Sequence, residues 1–276
     1  MKKVNKRVIP GFGLSMGVTL SMLSLIVIIP LASLVIFTAQ MSLSDIIDTI
    51  TRDRVLASFE VSFLTAFIAS LINAVMGVVL AWVLVRYDFP LKKIIDGMIE
   101  LPFALPTAVA GIALTSLTSD KGIIGKFFAN FGIKIAYTRI GIIVALVFVG
   151  IPFVVRSVQP VLEKLDRSYE EAAGVLGASR TKIFWKIIFP EIRPAIFTGF
   201  GLAFGRCIGE YGSVVFIAGN MPFETEITPL IIMSELQEYD YASATAIALV
   251  MLLFAFALLL AVNIIQSRNT RILKGG

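Results

Sequence analysis

The residues able to do chemistry are few and lie in unusual places. Arg206 and Glu210 stand four apart inside an apolar run, where a charge is costly unless it faces protein or water. That spacing suits an ion pair along a helix, although arginine before glutamate is the weaker order. The pair reads either as an internal lock or as a positive site for a passing anion. The lock is the better account, because a fixed carboxylate beside the arginine opposes anion entry. Asn73 falls in another apolar run, where a buried amide calls for an interhelical hydrogen bond. Asp96 and Glu100, also four apart, read as a wet helix end or as part of an inner gate.

The usual catalytic equipment is missing. The chain has no histidine, the commonest general base and metal ligand. Its one cysteine, Cys207, permits neither an intrachain disulfide nor a thiolate zinc site. No P-loop occurs. The nearest string, Gly122 to Phe127, has a lysine but lacks the glycine spacing and the hydroxyl. No catalytic residue, metal or cofactor of its own is therefore expected, and energy for any driven process must come from elsewhere.

These side chains must be positioned by elements built for lipid. Of 276 residues, 57% are hydrophobic and 16% charged, against about a quarter charged in ordinary soluble domains. Six apolar runs, 14–38, 59–85, 94–117, 140–155, 195–218 and 241–265, approach the roughly 20 residues that cross a bilayer. The expected fold is all-α: a polytopic membrane protein of six transmembrane helices in one domain, residues 1–276. Pro102 and Pro106 should kink the third run and free backbone carbonyls, either to line a water-filled path or for packing alone. Gly201, Gly205 and Gly209 leave one face of the fifth run without side chains, which suits close helix packing. No internal repeat is evident.

Lysine and arginine set the orientation. With the N-terminus inside, 17 of the 24 fall in inside segments and six in outside loops, with Arg206 left over. Both termini are therefore expected in the cytoplasm. The same distribution shows that the net charge of +5 is no nucleic-acid footprint. The basic start reads as a retained span, because its apolar run is too long for a signal peptide. The last outside loop is purely acidic (Glu224, Glu226, Glu235, Glu238, Asp240) and reads as solvated surface.

The inside loop 156–193 is too long for a simple connection. It divides into a helix over about 165–176, ended by Gly177, and a second over about 179–189, stopped by Pro190. An amphipathic hairpin on the membrane surface would account for the periodicity alone. The residue choices say more. Glu171-Ala172-Ala173, three residues, Gly177, nine residues, then Ile187-Ile188-Phe189-Pro190 resembles the EAA signature of ABC importer permeases. Phe189 stands where that family usually has leucine.

Further strings resemble the oxyanion branch of the family. These are Glu100 to Gly111, Gly205 to Gly212 with Ile217 to Asn220, and Leu236 to Tyr241. Together with the six-span length they resemble the sulfate/thiosulfate (CysT-type) permeases, with molybdate permeases as relatives. The resemblance implies a permease subunit of an ATP-driven importer in a bacterial inner membrane. Its implied partners are ABC ATPase subunits, a related second permease chain, and a periplasmic or lipid-anchored sulfate-binding protein. It implies that Glu171, Ala172, Ala173, Gly177, Ile187 and Pro190 serve ATPase coupling. Pro102, Pro106, Arg206 and Glu210 become candidates for the path or its gate. A molybdate or tungstate permease is one rival. A gradient-driven secondary anion transporter, which would need no ATPase, is another, and a membrane scaffold a third.

Overall fold

Proline decides where these apolar helices bend and where they stop. In the computed structural model, which describes residues 12–274, helix α1 covers Phe12–Thr38 and contains Pro30. The turn just before that proline, Ser24–Ile28, is a wide π-turn. It sends the Ile29 N–H to the Ser24 carbonyl, so the ring is accommodated and the helix continues. The basic residues Lys2, Lys3, Lys6 and Arg7, and the side chains of Arg268, Arg271 and Lys274, lie outside the described residues.

After α1 come α2 (Leu43–Ile50), α3 (Asp53–Arg86), α4 (Lys92–Ile99), α5 (Leu101–Ala104), α6 (Thr107–Thr118) and α7 (Ile123–Ala129). Then follow α8 (Arg139–Lys164), α9 (Ser168–Val175), α10 (Arg180–Ile208), α11 (Val214–Ile217), α12 (Thr228–Gln237) and α13 (Tyr241–Lys274). Among the described residues there is no strand. Five helices, α1, α3, α8, α10 and α13, are long and apolar enough to cross a membrane.

Three expectations about boundaries need correction. The third apolar run is broken, not merely kinked, and becomes α4, α5 and α6. Pro102 starts α5 harmlessly within its first turn. Pro106 forces Leu105 into extended backbone, with ψ at 135°, because a residue before proline avoids the helical region. The fourth run does not stop at 155 but continues through Pro152 and Pro160 to Lys164. Pro190 does not end a loop helix either. A second π-turn, Phe184–Ile188, sends the Phe189 N–H to the Phe184 carbonyl, and α10 runs on through Pro190 and Pro194.

The core lies where α3, α8 and α10 cross. Val154 of α8 is fully buried between two glycines. A Cβ on Gly77 of α3 would stand 2.6 Å from its Cγ1, and one on Gly199 of α10 only 2.7 Å from its Cα. The three backbones therefore approach closely, as small residues in membrane helices allow. One apolar cluster, with Leu84, Val158, Leu162, Ile188 and Ile192, occupies the end carrying α9, here the loop end. Another, with Val61, Ile142, Leu146, Phe204 and Ile217, fills the opposite, far end. Helix α1 stands outside this core and packs against α13.

Charges cluster at the two ends of the helices. At the far end Arg54 grips the buried carboxylate of Glu226 through two hydrogen bonds of 2.7 and 2.6 Å. Arg52 pairs with Glu235 at 3.5 Å, and Arg139 bonds the Glu224 carbonyl at 2.8 Å. The acidic segment is thus no simple solvated surface. It neutralises Arg52 and Arg54 and pins the chain after α11 to α3 and α8.

Candidate coupling helix and junction of broken spans

Helix α9 carries the Glu171-Ala172-Ala173 string and buries none of its residues. Its C-terminus closes with the paired bonds of a Schellman turn: Gly177 N–H to Gly174 O at 2.9 Å and Ala178 N–H to Ala173 O at 3.0 Å. Gly177 supplies the left-handed backbone that turn requires, at φ +80°. Ser179 then caps α10 by accepting from the Lys182 N–H at 3.4 Å. Of the two short helices expected, the first is α9, shorter than 165–176, and the second is only the start of the long α10.

Glu171, Ala172 and Gly177 are exposed, and Ala173 is half-buried. Beside them Val175 is 89% and Leu176 88% exposed. Ile187 and Pro190 are half-buried in α10. A short helix offering a carboxylate, small residues and bare apolar side chains has the composition of a contact surface. Its neighbour Glu170 points the other way and pairs with Arg86 of α3.

The second notable site lies where two broken spans meet. Helix α10 ends at Ile208, so the fifth run is interrupted at Gly209 instead of continuing to 218. Glu210 sits in that break with 2% of its side chain exposed. Its Oε2 lies 2.5 Å from Arg206 Nη1, and its Oε1 accepts from the Ser213 N–H at 2.8 Å and the Ser213 hydroxyl at 2.9 Å. One carboxylate therefore ties the end of α10 to the start of α11. The break packs directly on α6. A Cβ on Gly212 would stand 2.1 Å from Thr107 Oγ1, and one on Gly111 only 2.4 Å from the Ser213 carbonyl. Pro106, exposed, and Pro102, buried, lie just before that contact. Non-helical backbone at membrane depth persists only against protein or a water-filled cavity. Gly201 faces Val262 and Gly205 faces Leu259 of α13, each with a Cβ contact at 3.3 Å, so that part of the stripe serves packing.

Comparison with known proteins identifies the family. The sequence profile described as "Binding-protein-dependent transport system inner membrane component" matches residues 73–271. The chain belongs to that family. The sulfate transport system permease proteins CysT of Salmonella typhimurium and Escherichia coli are each 49% identical over 271 residues, 98% of both chains. The namesake of Synechocystis is 47% identical over 92% of this chain and 89% of its own. Among solved structures, a bacterial alginate ABC transporter in complex with an alginate-bound periplasmic protein superposes with a TM-score of 0.77. That match has 19% identity and covers 97% of this chain and 98% of that one. It shows that the fold is that of an importer permease. The family and the apolar helices together make this a multi-pass inner-membrane protein.

Two features of this permease escape local sequence reading. Arg156 of α8 joins Asp96 at 2.7 Å and Glu100 at 2.9 Å, so those carboxylates clamp the broken third span to α8. No local spacing signals a bond between residues 60 apart in the chain. Asn73 departs from expectation. It is fully buried, and neither its Oδ1 nor its Nδ2 has a hydrogen-bond partner. It fills the space left by Gly150, where a Cβ would stand 2.3 Å from Nδ2.

Proposed function

We propose that this permease subunit forms one membrane half of an ATP-driven importer of sulfate or thiosulfate. The observation that carries the reading is α9, an exposed helix at one end of a bundle of apolar helices. Glu171, Ala172 and Gly177 form its open face. That face suits a cleft on a separate ATPase subunit, with the glutamate meeting a basic group there and Val175 and Leu176 covered. Ile187 and Pro190 set the angle at which α9 leaves α10. The 49% identity to sulfate permeases over 98% of the chain supports the substrate.

In this reading the loop end faces the cytoplasm, as do both termini. The bias of 17 inside to six outside lysines and arginines supports that orientation. A second, related permease chain completes the path, two ATPase subunits bind below, and a periplasmic or lipid-anchored binding protein docks above. The chain hydrolyses nothing and holds no cofactor. ATP bound by the partner subunits closes them, rocks α9 and opens the path outward; hydrolysis resets it. The junction of α6 with the Gly209–Ser213 break lines the path. The Arg206–Glu210 pair locks that junction and does not bind the anion.

Vesicles reconstituted with both permease chains, the ATPase subunits and loaded binding protein test this. Radiolabelled sulfate should enter only when ATP is present on the ATPase side. Uptake driven by an imposed proton or sodium gradient without ATPase subunits would refute it.

A further inference from the structure

The docking helix carries two adjacent glutamates, and the structure separates them. Glu171 faces outward and is exposed. Glu170 turns inward, with a side chain 24% exposed, and pairs through Oε1 with Nη2 of Arg86, itself 9% exposed. Arg86 is the last residue of α3, the 34-residue second span. Its guanidinium lies over the ring of Trp82, one turn earlier, at 5.5 Å from the centroid. Trp82 meets Phe184 edge-on at 5.7 Å, and Phe184 meets Trp185 at 5.3 Å within the π-turn of α10. Arg86 is thus held on both sides, by aromatic stacking and by a charge-assisted bond. Among the described residues, Glu170 makes the one salt bridge from α9 to a membrane-spanning helix.

We propose that Glu170 and Arg86 are positioning residues that transmit motion of α9 to the second span, while Glu171 serves docking. This deepens the coupling role proposed above and rests on it. The physical reason lies in how loosely α9 is otherwise held. It buries no side chain in the bundle, so a push on its outer face meets little apolar resistance. A partly buried ion pair resists it, because separating the charges exposes each without its partner. Trp82 denies Arg86 an easy change of rotamer, so displacement of Glu170 pulls on α3 rather than only swinging the arginine. The aromatic contact to Phe184 links the same point to α10. A push on α9 is therefore shared between two of the three core helices.

The test uses the complete importer in vesicles, with Glu170→Gln, Arg86→Gln, the double variant and Glu171→Gln. The readouts are retention of ATPase subunits on purification, and sulfate transported per ATP hydrolysed. The expected result for Glu170→Gln and Arg86→Gln is full retention of ATPase subunits, with transport per ATP reduced roughly fivefold or more. The double variant should be no worse than either single one, because one interaction is lost in all three. Glu170→Asp, which keeps the charge, should recover part of the ratio. Should Arg86→Gln fail to assemble, the two Glu170 variants on the exposed helix still decide. An unchanged ratio in Glu170→Gln, loss of ATPase subunits from that variant, or a double variant whose loss is the product of the two singles would each overturn the proposal. Retention of ATPase subunits by Glu171→Gln would count against the docking reading alone.

Discussion

Replacing Arg206 by glutamine should destabilise the junction of broken spans more than replacing its partner does. In Arg206→Gln the Glu210 carboxylate, 2% exposed, keeps its two bonds from Ser213 but loses the cation. Removing one partner of a fully enclosed ion pair costs roughly 3–5 kcal/mol. Arg206 is 36% exposed, so water already screens part of the interaction, and about 2 kcal/mol is the working figure. Glu210→Gln leaves the amide oxygen to accept from Ser213 and abandons an arginine that water can reach. That change costs about 1 kcal/mol. At roughly 2–4 °C per kcal/mol for a chain near this size, Arg206→Gln should lower the melting temperature by about 4–8 °C, and Glu210→Gln by about 2–4 °C. Thermal unfolding of the purified complex in detergent measures both, and uptake competed by sulfate and molybdate measures preference. Arg206→Gln should lose stability and coupling while still preferring sulfate. If it melts and couples like the parent chain but exchanges sulfate for molybdate preference, the lock is wrong and Arg206 reads the anion. A larger loss in Glu210→Gln would refute the burial argument.

Other outcomes follow from named contacts. Gly199→Leu should cost about 3 kcal/mol in unfolding experiments, since its Cβ would stand 2.7 Å from the Val154 backbone; Gly97→Ala, with nothing within 4 Å, should match the parent. Asn73→Ala should stay within about 1 kcal/mol of the parent, because no hydrogen bond is lost; a loss beyond twice that in the same melts would show that the amide has a partner. Asp240 accepts from the Ser243 N–H at 2.9 Å, and these bonds hold its carboxyl below its ordinary value. Its cap is therefore present above the unfolded carboxylate range, near pH 4, and is lost as pH falls through the lowered value. Asp240→Asn should flatten that acid limb in a series of melting temperatures against pH.

How much was legible in the sequence depended on whether a feature was local. Apolar length marked five helices long enough to cross a membrane but not the break in the third run, and a glycine at the right offset located the end of α9, because both are set within a few neighbouring residues. Proline was the weak signal. Pro106 breaks its helix, while Pro152, Pro160, Pro190 and Pro194 are carried inside theirs. A lost backbone bond costs about 3 kcal/mol, and tertiary packing or a π-turn offsets it where the core needs a continuous helix. Long-range pairs left no trace in local spacing. Arg54 with Glu226, Arg156 with Asp96 and Arg86 with Glu170 join distant segments. The acidic far-end segment therefore reads as surface until the fold brings arginines to it. Asn73 is the reverse case: helical membrane packing predicts a partner, and the close approach of Gly150 leaves the amide enclosed without one.

The central claim is that this chain passes sulfate or thiosulfate only when an ATPase drives it through α9. Uptake of radiolabelled sulfate should be measured in a bacterial strain lacking its own sulfate importers. The strain should carry this chain, its partner permease, the ATPase and the binding protein. Thiosulfate should compete with this uptake, molybdate should compete poorly, and Glu171→Arg in α9 should abolish it while the chain still reaches the membrane. Uptake that survives Glu171→Arg or deletion of the ATPase, or that only molybdate blocks, would contradict the claim.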